Sequence, residues 1–141
     1  MVKNTKHTDF TKGKFNIFMQ QKVLVTGANG FIGGFIVEEA LNEGFEVYSS
    51  VRKNSDVQYL RNQNTKILEV NYSDVSALAK LIHEFSFDYI IHNAGLTKSP
   101  DPEELIRINK GLLENIIEAV RSSETKIKKL IYVSSIAAYG P

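Results

Sequence analysis

Three glycines at three-residue spacing, Gly27, Gly30 and Gly33, follow directly on the apolar run Val23-Leu24-Val25. This stretch constrains the fold more than any other. A β-branched run ending in such a triplet reads as a short strand that turns sharply into a helix. Gly27 takes the tight turn, Gly30 lets the backbone approach a ligand closely, and Gly33 lets the new helix pack on the strand. The helix N-terminus then presents unpaired N–H groups and positive partial charge, so the turn is a cradle for phosphate.

A glycine triplet alone also marks ordinary turns, and the flanking sequence decides. Phe31, Ile32, Phe35, Ile36, Ala40 and Leu41 recur at helical spacing and predict an apolar helix face. Gly44 suits the helix C-terminus, and Glu46 to Val51 reads as a second strand. The result is the strand–loop–helix–strand unit that dinucleotide-binding turns require.

The alternation continues along the chain. Ser55 can cap a short helix through about residue 62, and Lys66–Val70 reads as a third strand. Ser73 or Asp74 caps a helix to about Phe85, with Val75, Leu78, Leu81, Ile82 and Phe85 on one face. Asp88–His92 is a nearly all-apolar fourth strand, as strands covered on both faces are. Pro102 and Glu103 open the longest helix, to about Ser122, and Leu130–Ser134 is a fifth strand. Strictly alternating elements predict a parallel sheet with helices on both faces. The long helix carries two apolar stripes: Leu105, Ile108, Leu112, Ile116 and Ala119, and beside them Ile106, Leu113, Ile117 and Val120. One stripe covers a sheet. The second is either the mark of a deeply set helix or a surface for a partner, and a homo-oligomer through the 103–122 helix is expected.

Composition narrows the function classes. The 141 residues carry a net charge of +1 with both signs spread along the chain, which argues against a nucleic-acid footprint. Without cysteine there is no disulfide framework and no thiolate metal site, and no metal site is expected. No apolar stretch approaches a membrane span, so no membrane partner is expected and a cytoplasmic setting is the default. Residues 1–18 mix Lys, Thr, Asn and Asp with a few aromatics and lack a signal peptide's apolar region. They are expected to be an N-terminal extension or arm, with an extra docked element as the alternative. The dinucleotide-binding domain is expected over 19–141.

Four motifs in order carry a family resemblance. They are Thr26-Gly27-x-x-Gly30-Phe31-Ile32-Gly33, His92-Asn93-Ala94-Gly95, Asn109-x-Gly111-x-x-Glu114-Asn115 and Val133-Ser134-Ser135-x-x-x-Tyr139-Gly140. From Lys22 to Pro141 the chain resembles the N-terminal part of an extended short-chain dehydrogenase/reductase, of the NAD-dependent epimerase/dehydratase kind. The resemblance implies an α/β fold, a Rossmann-type doubly wound parallel sheet of about five strands in the order 3-2-1-4-5, here truncated. It implies a nucleotide loop of Gly27, Asn29, Gly30, Phe31, Ile32 and Gly33. By the same resemblance Asn93, Ala94 and Gly95 line the cofactor ribose, and Asn71 and Tyr72 sit beside the adenine, where the family usually has Asp-Leu. Asn71 could instead cap a turn. Asn109 matches a position near the active site, and Ser135 matches the serine that hydrogen-bonds the substrate's reacting oxygen. A hydroxyl can donate to a carbonyl or accept from an alcohol, which serves both directions of hydride transfer.

The second strand ends Ser50-Val51-Arg52-Lys53, with no acid before Asp56. An acid there would grip the ribose 2′-hydroxyl of NAD, whereas Arg favours the 2′-phosphate of NADP. Arg52 offers a planar fork and Lys53 a second charge, so NADP is expected, with NAD as the alternative. The family's Tyr with Lys four residues on is missing: no Tyr here has Lys at that spacing. The expectation is therefore a fragment ending before the later strands and the substrate lobe, inactive alone. Its parent is expected to be an oxidoreductase, epimerase or dehydratase acting on a small-molecule hydroxyl or carbonyl. A non-catalytic NAD(P)-sensing protein on the same fold is the alternative.

Overall fold

In the computed structural model, residues 20–61 and 63–135 are described. The expected arm at 1–18 and the Tyr139-Gly140 part of the last motif lie outside them. The elements run β1 (Lys22–Thr26), α1 (Phe31–Asn42), β2 (Glu46–Val51), α2 (Gln58–Arg61), β3 (Lys66–Glu69), α3 (Val75–Phe85), β4 (Tyr89–His92), α4 (Pro102–Ser122) and β5 (Lys129–Tyr132). The strands form one sheet in the order β3-β2-β1-β4-β5. Every pairing is parallel: Lys22 faces Glu46, Tyr48 faces Lys66, Thr26 faces His92 and Tyr89 faces Lys129. All five C-terminal strand ends therefore share one margin of the sheet. The order reverses at β1, which opens a crevice between the loops after β1 and β4.

Two apolar clusters cover the faces. On one face Leu24, Tyr48, Leu78, Ile82, Phe87, Ile90, Ile116 and Ala119 gather beneath α3 and α4. On the other, Val23, Val25, Val37, Ala40, Val47, Val51 and Leu60 pack under α1 and α2. Central strands with both faces covered bury nearly every side chain, and β1 buries residues 23–26.

Local chemistry sets the helix ends. Asp74 caps α3 by accepting the Ala77 N–H at 2.9 Å, and Asp101 caps α4 by accepting from Glu103 at 3.0 Å. Gly44, at φ +83°, closes α1: its N–H donates to the Leu41 carbonyl while Phe45 N–H reaches the Ala40 carbonyl. At α2 the side chain that receives an N–H is Asp56, on Gln58, rather than Ser55.

The apolar face expected on α1 is corrected. Gly33, Gly34, Val37 and Ala40 are the buried residues, whereas Phe31, Ile32 and Phe35 are exposed. Gly33 sits so close to the Gly27–Ala28 backbone that no side chain fits there, Gly34 lies under the Tyr59 ring, and the bulky residues are turned outward. On α4, Ile116 and Ala119 are fully buried and most of both stripes is half-buried, with Val120 packed against the α3-side cluster. Ile106 stays 67% exposed.

The opposite margin of the sheet is fastened by charge. Asp88 accepts the Lys22 backbone N–H at 2.9 Å and pairs with Lys128 at 2.7 Å, while Lys66 pairs with Glu46 across β2 and β3. These partners hold both carboxyls below their ordinary range, Lys128 for Asp88 and Lys66 for Glu46.

Candidate functional site: the crevice beside the glycine loop

The glycine loop is shaped by near-contact. Gly27 has φ +64°, a conformation that side chains rarely adopt. A Cβ there would lie 2.8 Å from Ala94 Cα. A Cβ on Gly33 would lie 2.1 Å from the Gly27 carbonyl oxygen. Backbone occupies both spaces, so the loop, the start of α1 and the turn after β4 form one unit. Gly30 N–H donates to the Gly27 oxygen at 3.1 Å, and a Cβ on Gly30 would lie 3.3 Å from that oxygen.

α1 begins without a side-chain cap, its N-cap being Gly30, whereas α3 and α4 each carry an Asp there. The first-turn N–H groups of a helix have no intrahelical partner. Those of α1 open onto the crevice with the helix dipole behind them, an arrangement suited to an anion. Phe31 and Ile32 contribute to it through backbone, their side chains being exposed. Asn29 is exposed on the loop.

Across the crevice, Thr26 holds the turn after β4. Its Oγ1 accepts the N–H groups of Asn93 and Ala94 at 3.1 and 3.0 Å and lies 2.8 Å from His92 Nδ1. The Asn93 amide donates to the Gly27 carbonyl at 3.3 Å, tying the two loops directly. Asn109 of α4 brackets Leu96, accepting its N–H at 2.7 Å and donating to its carbonyl at 3.0 Å. A Cβ on Gly95 would meet the Asn109 oxygen at 3.0 Å. The Asn93–Gly95 backbone is thus fixed from both sides. His92 is fully buried against the Tyr132 ring, and burial lowers its pKa to about 4, so the ring is neutral.

The remaining expected residues stand on the same margin in different states. Asn71 closes its own turn, its side-chain oxygen accepting the Ser73 N–H at 3.1 Å. Tyr72 is buried beneath the loop, with its hydroxyl 2.9 Å from Ser50 Oγ. Arg52 and Lys53 follow β2 and are exposed. Ser135 is exposed, three residues past the end of β5. The crevice therefore brings together Gly27–Gly33 and Asn93–Gly95, with Tyr72 below. Thr26 and His92 open two of the motifs without a role of their own, and Ser50 lies outside the motifs; polarity at strand positions that are otherwise apolar is the further signal for all three.

Among the described residues, no group of three or more His, Asp or Glu could hold a metal ion, and no helix is long and apolar enough to cross a membrane.

A model of the NAD dependent epimerase/dehydratase family matches residues 23–141. The chain is 30% identical over 139 residues to the UDP-glucose 4-epimerase of Bos taurus, covering 86% of this chain and 39% of that protein. It is 37% identical over 118 residues to the UDP-2-acetamido-2,6-beta-L-arabino-hexul-4-ose reductase of Pseudomonas aeruginosa, covering 83% of this chain and 26% of that protein. Among solved structures, UDP-glucose 4-epimerase from Bifidobacterium longum in complex with NAD+ and UDP is similar with a TM-score of 0.71 at 27% identity, covering 85% of this chain and 38% of that one. The chain thus spans well under half the length of these relatives.

Proposed function

Since the chain belongs to the NAD dependent epimerase/dehydratase family, we propose that it is the nicotinamide-dinucleotide-binding part of a protein acting on a small-molecule hydroxyl or carbonyl. The parent reaction is hydride transfer, as a reductase, epimerase or dehydratase, in a cytoplasmic setting. The observation that carries this reading is the cradle at Gly27 and Gly33, where a Cβ would strike the backbone of Ala94 and of Gly27 itself. That packing fixes the glycine loop against the uncapped N-terminus of α1, an arrangement suited to a pyrophosphate.

The residues fit the group part by part. The α1 N-terminus from Gly30 to Gly33 would hold the pyrophosphate, and the Asn93–Gly95 backbone would line a ribose. Arg52 and Lys53, past the end of β2, would take a 2′-phosphate, since Val51 stands where an acid would select the free hydroxyl. This favours NADP, although the Bifidobacterium longum relative was solved with NAD+. When bound, a nicotinamide dinucleotide supplies the hydride acceptor or donor. Ser135 would hydrogen-bond the substrate oxygen, donating to a carbonyl or accepting from an alcohol. The chain holds no Tyr with Lys four residues on, so no acid–base pair of that kind accompanies Ser135 and the 141 residues alone do not turn over.

Calorimetric titration of the chain with NADPH and NADH tests the reading. NADPH binds more tightly than NADH, and Arg52→Ala lowers NADPH affinity about tenfold while leaving NADH unchanged. Failure of both dinucleotides to bind overturns the function. Equal affinities, or tighter NADH, overturn the Arg52 assignment.

A further inference from the structure

Beneath the glycine loop lies a line of three hydrogen bonds that joins β1, β2 and the segment after β3. Ser50 Oγ lies 3.2 Å from the Val25 carbonyl oxygen and 2.9 Å from the Tyr72 hydroxyl. The Gly27 N–H donates to that same hydroxyl at 3.4 Å. Ser50 is fully buried and Tyr72 nearly so.

Proton counting gives the line one direction. A carbonyl only accepts, so the single Ser50 proton goes to Val25. Ser50 Oγ then accepts the Tyr72 proton, and the Tyr72 oxygen accepts from Gly27. Every polar group on the line is satisfied in this arrangement alone. Burial raises the pKa of Tyr72, so the phenol keeps the proton the line needs.

We propose that Tyr72 is a positioning residue for the dinucleotide site, acting through Ser50 and Gly27 to hold the phosphate turn in its bound shape. Gly27 is where the chain leaves β1 in the left-handed conformation, and its carbonyl anchors Gly30 and Asn93. Fixing the N–H side of this residue fixes the carbonyl side, and with it the position of the uncapped α1 terminus. The Tyr72 hydroxyl lies under the loop, bonded to Ser50 and Gly27, so this role is exerted from below. The inference rests on the dinucleotide reading of the crevice.

Tyr72→Phe removes the hydroxyl and keeps the ring. With the full chain and NADPH as the probe, we expect Tyr72→Phe and Ser50→Ala each to weaken binding about three- to tenfold, and the double variant no more than the worse single one. Ile82→Ala, a substitution on α3 in the same apolar cluster as Tyr72 but outside the hydrogen-bond line, serves as the control. It lowers the unfolding midpoint at least as much and leaves affinity unchanged. Unaltered NADPH affinity in Tyr72→Phe overturns the proposal, as does an equal loss in Ile82→Ala. Absence of binding by the unaltered chain overturns instead the dinucleotide reading. If Tyr72→Phe does not fold, amide exchange on the unaltered chain decides: Gly27 exchanges at least about tenfold more slowly than Asn29. Equal rates overturn the proposal.

Discussion

Thr26 Oγ1 donates its only proton to His92 Nδ1, 2.8 Å away, because both its lone pairs already accept the N–H groups of Asn93 and Ala94. The neutral His92 therefore carries its own proton on Nε2, which is buried and finds no partner among the described residues. One hydroxyl thus joins β1 to β4 and sets the backbone that lines the crevice. Thr26→Val keeps the shape and strands two N–H groups. We expect a loss of about 1–3 kcal/mol in urea unfolding and weaker dinucleotide binding. An unchanged midpoint would remove Thr26 from this role.

His92 makes stability depend on pH in a defined window. Its folded pKa is lowered from 6.5 to about 4 by burial. Between these values the unfolded chain takes up the proton and the folded chain does not. The contribution is complete above about pH 6.5 and is lost as pH falls toward 4, with a slope of at most about 1.4 kcal/mol per unit. Glu46 and Asp88, whose carboxyls are lowered, add their loss only below their ordinary values of 4.5 and 3.8. Chemical unfolding at a series of pH values should show the slope from 6.5 downward, and His92→Gln should flatten it. The same slope in that variant would assign it to other groups.

Gly33→Ala places a methyl 2.1 Å from the Gly27 oxygen, where only backbone can yield. α1 must move off the loop that follows β1, at about 1–3 kcal/mol or more, and the phosphate turn is displaced with it. Thermal unfolding should show the loss and NADPH binding should disappear. Gly111→Ala, where nothing lies within 4 Å, is the matched control and should retain both.

Ile106 is 67% exposed on α4, in a helix with two apolar stripes. We propose that a second copy of the chain covers this face. Ile106→Glu should shift sedimentation toward the monomer while leaving the unfolding midpoint within about 0.5 kcal/mol equivalent. A monomer at every concentration for the unaltered chain would rule the interface out.

Much of the fold is legible where residue type is unambiguous. The apolar runs at 23–25 and 89–92 and the Pro102 start of α4 are carried by residue type alone, the fourth strand starting at Tyr89 rather than Asp88, and the strand order follows the motif resemblance. The third and fifth strands end earlier than read, at Glu69 and Tyr132. The buried face of α1 is not legible because Gly33 and Gly34 give no hydrophobic signal, although the missing side chain at Gly33 is what lets the helix meet the Gly27–Ala28 backbone. Likewise Asn71 offered two roles by type, and only its distance to Ser73 N–H shows the turn. The Tyr72 line joins residues 22 and 45 positions apart, beyond the reach of any local pattern.

The two margins of the sheet are fastened by different chemistry. Away from the crevice the ties are the charged pairs Asp88–Lys128 and Glu46–Lys66, whereas at the crevice they are buried neutral hydroxyls. Salt screens exposed charge and barely reaches buried dipoles. Ionic strength can therefore loosen the far margin and compete for the anionic ligand while leaving the shape of the empty crevice intact. Receptor geometry and ligand affinity are, in this fold, separately adjustable quantities.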